Sequence, residues 1–130
     1  MNELKLFKDV LELEANALLE AAKHVNEEQL QKLDQIFASL IKENSHLIFC
    51  GVGKSGHIAN KLAATFSSLG RPSYFLHPTE ALHGDLGRVL ATDAIVFISY
   101  SGTAEEIIKL IPFLDIPAER RIGLVGNLEG

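Results

Sequence analysis

Two short stretches carry side chains suited to holding an anion. The first, Gly51-Val52-Gly53-Lys54-Ser55-Gly56, sets an ammonium and a hydroxyl among glycines. The second, Ser99-Tyr100-Ser101-Gly102-Thr103, sets three hydroxyls around a glycine, just ahead of a helical pattern. Free backbone N–H groups and the dipole at a helix start attract anions, and hydroxyls bond phosphate oxygens without adding charge. Ordinary N-capping accounts for one hydroxyl there, not for three. A lysine between two loop glycines is not placed for packing, so Lys54 is a candidate to hold a phosphate.

The glycine loop has two nucleotide readings to set aside. A P-loop needs a glycine five residues before Gly53, and that position is Ile48. The spacing Gly51-x-Gly53-x-x-Gly56 matches a dinucleotide fingerprint, which also wants an acidic residue at the end of the next strand. That place holds His77-Pro78, and the nearest acid is Glu80.

The elements that must position these loops follow from apolar periodicity. Leu4, Phe7, Val10, Leu11, Ala15, Leu18 and Leu19 recur near a 3.6 period and predict a helix over 3–22. A second helix is predicted over 27–43, with Asn26 as cap and Gln29 as its box partner. Short apolar runs at 46–50, 73–76, 94–98 and 122–125 read as strands. Helical patterns lie between them at 55–69, ended by Gly70, and at 103–114, with a helical turn or loop over 80–89. Such alternation predicts an α/β fold, a three-layer αβα arrangement with a central parallel sheet, preceded by the two N-terminal helices. Ligands of such sheets bind at the carboxyl ends of the strands. Here those ends are Gly51–Gly56, His77–His83, Ser99–Thr103 and Gly126–Asn127.

Bulk composition narrows the partners. The 130 residues carry a formal charge of -5, so neither a nucleic-acid backbone nor an anionic membrane is expected as partner. No apolar run approaches the roughly 20 residues of a membrane span, and the N-terminus lacks a signal-peptide core. The lone Cys50 sits in an apolar run, which suits a reducing compartment, so a cytoplasmic location is expected.

Taken together, Gly51-Val52-Gly53-Lys54-Ser55-Gly56-His57, His77-Pro78-Thr79-Glu80-Ala81-Leu82-His83-Gly84-Asp85-Leu86-Gly87, and Ile98-Ser99-Tyr100-Ser101-Gly102-Thr103 with Glu106 resemble the sugar isomerase (SIS) domain. Within it they are most similar to the arabinose 5-phosphate isomerase branch. The resemblance covers essentially the whole chain, and implies a single SIS domain over 1–130 that is incomplete at its C-terminal end. It implies a five-stranded parallel sheet and homodimers or homotetramers with sites near subunit interfaces. The activity implied is interconversion of D-ribulose 5-phosphate and D-arabinose 5-phosphate through an enediol, feeding lipopolysaccharide or capsule sugar synthesis.

By that resemblance, Ser55, Ser99, Ser101 and Thr103, with Gly102 between them, occupy phosphate-loop positions. Lys54, His83 and Glu106 occupy positions implicated in turnover. Gly70 and Arg71 match a substrate-contact turn. His77 matches a histidine associated with an inhibitory zinc, and no cofactor is required. Family members often carry asparagine where Tyr100 stands and an acidic residue where Thr103 stands. Isomerisation needs a base to move a proton between C1 and C2, and Glu106 is the proposed shuttle. Two rivals share the core: a non-catalytic SIS domain that senses sugar phosphates in a regulator, and an isomerase for another ketose phosphate.

Overall fold

The computed structural model describes residues 2–129 and separates into two compact units, Met1–Gln35 and Ile36–Gly130. The first unit contains helix α1 (Glu3–Ala22) and the start of helix α2 (Glu27–Glu43). Asn2 caps α1 by accepting the Lys5 N–H at 3.2 Å. Asn26 accepts the Gln29 N–H at 2.9 Å, as the sequence predicted. No residue of α1 is buried. Its apolar side chains Leu4, Phe7, Val10, Leu11, Leu18 and Leu19 are all exposed.

The second unit is built on four parallel strands: β1 (Leu47–Cys50), β2 (Ser73–Leu76), β3 (Ala94–Ser99) and β4 (Arg121–Val125). Their order is β2-β1-β3-β4, with Cys50 opposite both Leu76 and Phe97, and Ser99 opposite Val125. The fifth strand implied by resemblance has no counterpart among the described residues. Every residue of β1 and β3 is buried, the continuous apolar run expected of a parallel strand covered on both faces.

Alternation along those strands divides the core in two. Ile48, Cys50, Ile95 and Phe97 pack with Ala81, Ile107 and Leu110 on one face. Leu47, Phe49, Ala94, Val96 and Ile98 pack with Ile36, Leu40, Ala59 and Ala63 on the other. The covering helices are α2 and α3 (Gly53–Ser68) on the second face, and the short α4 (Pro78–Leu82) and α5 (Glu105–Leu110) on the first. Three layers result.

One element is shorter than the sequence suggests. The helix predicted over 103–114 begins at Glu105 and ends at Leu110, followed by a 3-10 turn over Ile111–Phe113. Pro112 has no N–H to donate to the Ile108 carbonyl, so the α-helical ladder stops although Ile111 itself keeps helical angles (φ -50°, ψ -44°). At the other end, the Thr103 N–H and hydroxyl are both held by Ser101 Oγ, outside any helix.

Cys50 lies wholly inside the first core cluster, and burial pushes its thiol up to about 12. The folded chain therefore keeps the thiol proton between about 9 and 12 while the unfolded chain loses it, so stability falls as pH rises through that window. At pH 8 Cys50 is expected to resist a thiol reagent until the protein unfolds, when one equivalent reacts. Rapid labelling of the native protein would contradict this burial.

Candidate functional site

Because all four strands are parallel, their carboxyl ends meet at one end of the sheet. β1 ends in the glycine loop, and Lys54 and Ser55 stand in the first turn of α3. The strand and the helix cross unusually closely. A Cβ on Gly51 would lie 2.9 Å from the Ser55 carbonyl, and one on Gly56 would lie 2.9 Å from the Gly51 carbonyl. Both neighbours are backbone, so only glycine fits at either position. That close crossing explains the match to a dinucleotide fingerprint without a dinucleotide, since the same strand-to-helix packing needs the same glycines. Lys54 is exposed and Ser55 half-buried.

β3 ends in the hydroxyl loop. Ser99 is buried, and its Oγ accepts the Gly102 N–H at 3.0 Å. Ser101 Oγ accepts the Thr103 N–H and the Thr103 hydroxyl, each at 3.1 Å. Gly102 takes φ +72°, which turns the chain sharply enough for these bonds to form. Hydroxyl oxygens thus already lie on the N–H groups that an incoming phosphate oxygen would use. The Ser99 and Ser101 hydroxyls only accept in these bonds and keep their protons for a ligand, whereas the Thr103 proton is spent on Ser101 and would have to turn away from it. The helix behind this loop has only six residues. With the Gly102 and Thr103 N–H groups already taken, what the loop could offer an anion is chiefly hydroxyl protons rather than a helix dipole.

His83 is the exposed residue that ends α4, and Glu106 is exposed in the first turn of α5. Their two helices pack together through Ala81 and Ile107. Glu105, beside Glu106, forms an exposed pair with Lys109 at 3.0 Å, so Glu105 is a surface acid.

One assignment made by resemblance lies at the other end of the sheet, and another doubles as a helix cap. Gly70 and Arg71 precede β2, so within this chain they lie at the amino end of the sheet, away from the loops above. Gly70, at φ +90°, is the stop of α3: its N–H donates to Ser67 and that of Arg71 donates to Phe66, closing a Schellman motif. The Arg71 guanidinium donates to the Ser45 carbonyl at 3.2 Å. His77 lies at the correct end, but its Nδ1 accepts the Thr79 N–H at 3.1 Å and caps α4, with Pro78 at the first helical position. Among the described residues no group of three His, Cys, Asp or Glu side chains is placed to hold a metal.

The amino end of the sheet holds a polar cluster that sequence reasoning missed. Asp93 is fully buried and accepts the His46 N–H at 2.7 Å and the Leu90 N–H at 2.8 Å. Tyr74, whose ring carries the Arg88 guanidinium 4.1 Å above it, is pushed up to about 12, chiefly by burial and secondarily by Asp93. Arg120 binds Glu43 at 2.7 Å and holds its carboxyl below the usual carboxylate range. These contacts join residues far apart in sequence, so no local motif announces them.

Comparison with known proteins gives one pattern of matches. The SIS domain matches residues 39–127. Arabinose 5-phosphate isomerase KdsD of Francisella tularensis is 43% identical over 119 residues, covering 89% of this chain and 35% of that protein. The chain spans about a third of the length of the curated relatives it matches. The solved structure of c3406 from Escherichia coli CFT073, in complex with arabinose 5-phosphate, superposes with a TM-score of 0.78 at 38% identity, covering 96% of this chain and 66% of that one. A phosphoheptose isomerase from Francisella tularensis shares the fold, with a TM-score of 0.69 at 20% identity over 100% of this chain and 78% of that one.

Proposed function

This chain belongs to the SIS domain family, and from that premise we propose that it forms the sugar-phosphate-binding core of an aldose–ketose isomerase acting on D-arabinose 5-phosphate and D-ribulose 5-phosphate. The observation that carries the reading is the hydroxyl loop Ser99–Thr103, neutral and rich in donors, at the same sheet end as Lys54 and Ser55. The names of the relatives and the arabinose 5-phosphate complex of c3406 support the choice of sugar.

In this reading Ser55, Ser99, Ser101, Gly102 and Thr103 hold the phosphate. Lys54 offers a mobile positive charge to the phosphate or to the oxygen that becomes anionic as the enediol forms. His83 assists ring opening. Glu106 carries the proton between C1 and C2. Such an isomerisation moves a proton and an electron pair within one molecule, so it has no net redox change for a cofactor to balance.

Among the described residues no helix is long and apolar enough to cross a membrane. We place the protein in the cytoplasm, where pentose phosphates are metabolised, and as a homodimer or homotetramer. The unburied apolar side chains of α1 support assembly, since burying them would gain roughly 25 cal/mol per Å².

The test is to incubate the full-length protein with ribulose 5-phosphate and assay for arabinose 5-phosphate. Formation of arabinose 5-phosphate is expected. Tight binding of the sugar phosphate with no turnover would assign the site to sensing instead. Turnover of a hexulose or heptulose phosphate alone would move the assignment to another isomerase.

A further inference from the structure

We propose that Gly126, the first residue after β4, is a positioning residue for the hydroxyl loop and acts through the backbone of Tyr100. The proposal rests on the reading of that loop as the phosphate grip. Gly126 donates its N–H to the Tyr100 carbonyl at 3.0 Å and, more distantly, to the Ser99 carbonyl at 3.4 Å. These bonds continue the β3–β4 ladder one residue beyond the Ser99–Val125 pair. They fasten the loop at the point where it leaves the sheet.

Approach here is far tighter than at Gly123, the glycine within β4. A Cβ on Gly126 would lie 2.7 Å from the Tyr100 carbonyl oxygen, 2.8 Å from ring atom Cδ2 and 3.1 Å from Cε2. The oxygen is backbone and cannot swing away as a side-chain tip would. A methyl group at 126 must therefore push Tyr100 and, with it, its neighbours on both sides. Those neighbours are Ser99 and Ser101, whose hydroxyls hold the Gly102 and Thr103 N–H groups. Gly123, three residues earlier on the same strand, supplies the contrast: a Cβ there meets only Val125 Cγ1, at an ordinary 3.8 Å.

The Tyr100 ring explains itself in the same geometry. It is 86% exposed, so it does not serve the core, yet it lies over the Gly126 backbone. The space a side chain would fill at 126 is taken by the ring and carbonyl of Tyr100. Glycine at 126 and the path of the hydroxyl loop are thus one feature, supplied by two strands.

The experiment compares Gly126→Ala with Gly123→Ala in isotope-labelled protein, reading the amide resonances of Gly102 and Thr103 and the affinity for arabinose 5-phosphate. Neither amide contacts residue 126, so a change in them reports displacement of the loop. Gly126→Ala is expected to move both resonances and to weaken binding on the order of tenfold to a hundredfold, as small misplacements of a binding group do. Gly123→Ala should do neither. Unchanged Gly102 and Thr103 resonances in Gly126→Ala would overturn the proposal, whether or not the sugar phosphate binds. So would a displaced loop that binds as tightly as before. If the loop moves as expected but the unaltered protein binds neither arabinose 5-phosphate nor ribulose 5-phosphate, Gly126 keeps its positioning role and the sugar-phosphate reading falls.

Discussion

Replacing Glu106 by glutamine is expected to slow pentose phosphate isomerisation by the full-length protein about 10²–10⁴-fold, the range supplied by a positioned proton-transfer group. Glutamine keeps the size of the side chain and most of its hydrogen bonding but cannot accept a proton. Glu106 makes no part of the hydroxyl loop, whose internal bonds run among Ser99, Ser101, Gly102 and Thr103. Substrate affinity should therefore hold, and the loss should fall on kcat with KM little changed. Glu105→Gln is the matched control. It removes an equal charge one residue away, from an exposed pair with Lys109, and pairs of that kind contribute little. Steady-state kinetics on the two variants separate a chemical role from a change in local charge. Equal rates in both would remove Glu106 from the mechanism.

Replacing Asp93 by alanine should have the largest effect on stability. The carboxylate is fully buried at the amino end of the sheet and satisfies two backbone N–H groups, those of His46 and Leu90. Its loss strands both, at about 1–3 kcal/mol for each unsatisfied group, and leaves a small cavity. Total stability for a domain is about 5–15 kcal/mol, so much of the margin would go. Urea unfolding should show a much lower midpoint, with Asp93→Asn intermediate because its amide retains one carbonyl oxygen. An unchanged midpoint in Asp93→Ala would mean that water replaces the carboxylate without cost.

Much of this architecture was legible in the sequence for definite reasons. β1 and β3 are short apolar runs because both their faces are covered, and each is followed by a loop of glycines and hydroxyl-bearing residues. Gly70 ends α3 as predicted, and that stop sets Gly70 and Arg71 at the amino end of this chain's sheet. The length of α5 was overestimated because the apolar period continues through Pro112, and the cost of proline outweighs the pattern. His77 is a helix cap in this structure. Its signal was present in the order His-Pro-Thr, a cap before a proline at the first helical position. The Asp93 cluster and the Tyr100–Gly126 clamp were not legible, because each joins groups brought together only by sheet pairing.

The strand order has a consequence for how the protein reaches this state. β1 has both its neighbours downstream: β2 begins at Ser73, opposite Leu47, and β3 at Ala94, opposite the same residue. Neither edge of β1 can close until a whole helical crossover has formed. The entropy of closing such loops grows only slowly with length, so the delay bears on folding speed more than on final stability. Non-local parallel pairing of this kind belongs with slow folding. During that interval Leu47–Cys50, the most apolar segment beside the glycine loop, waits uncovered, and a nascent chain would depend on α2 and α3 to shield it.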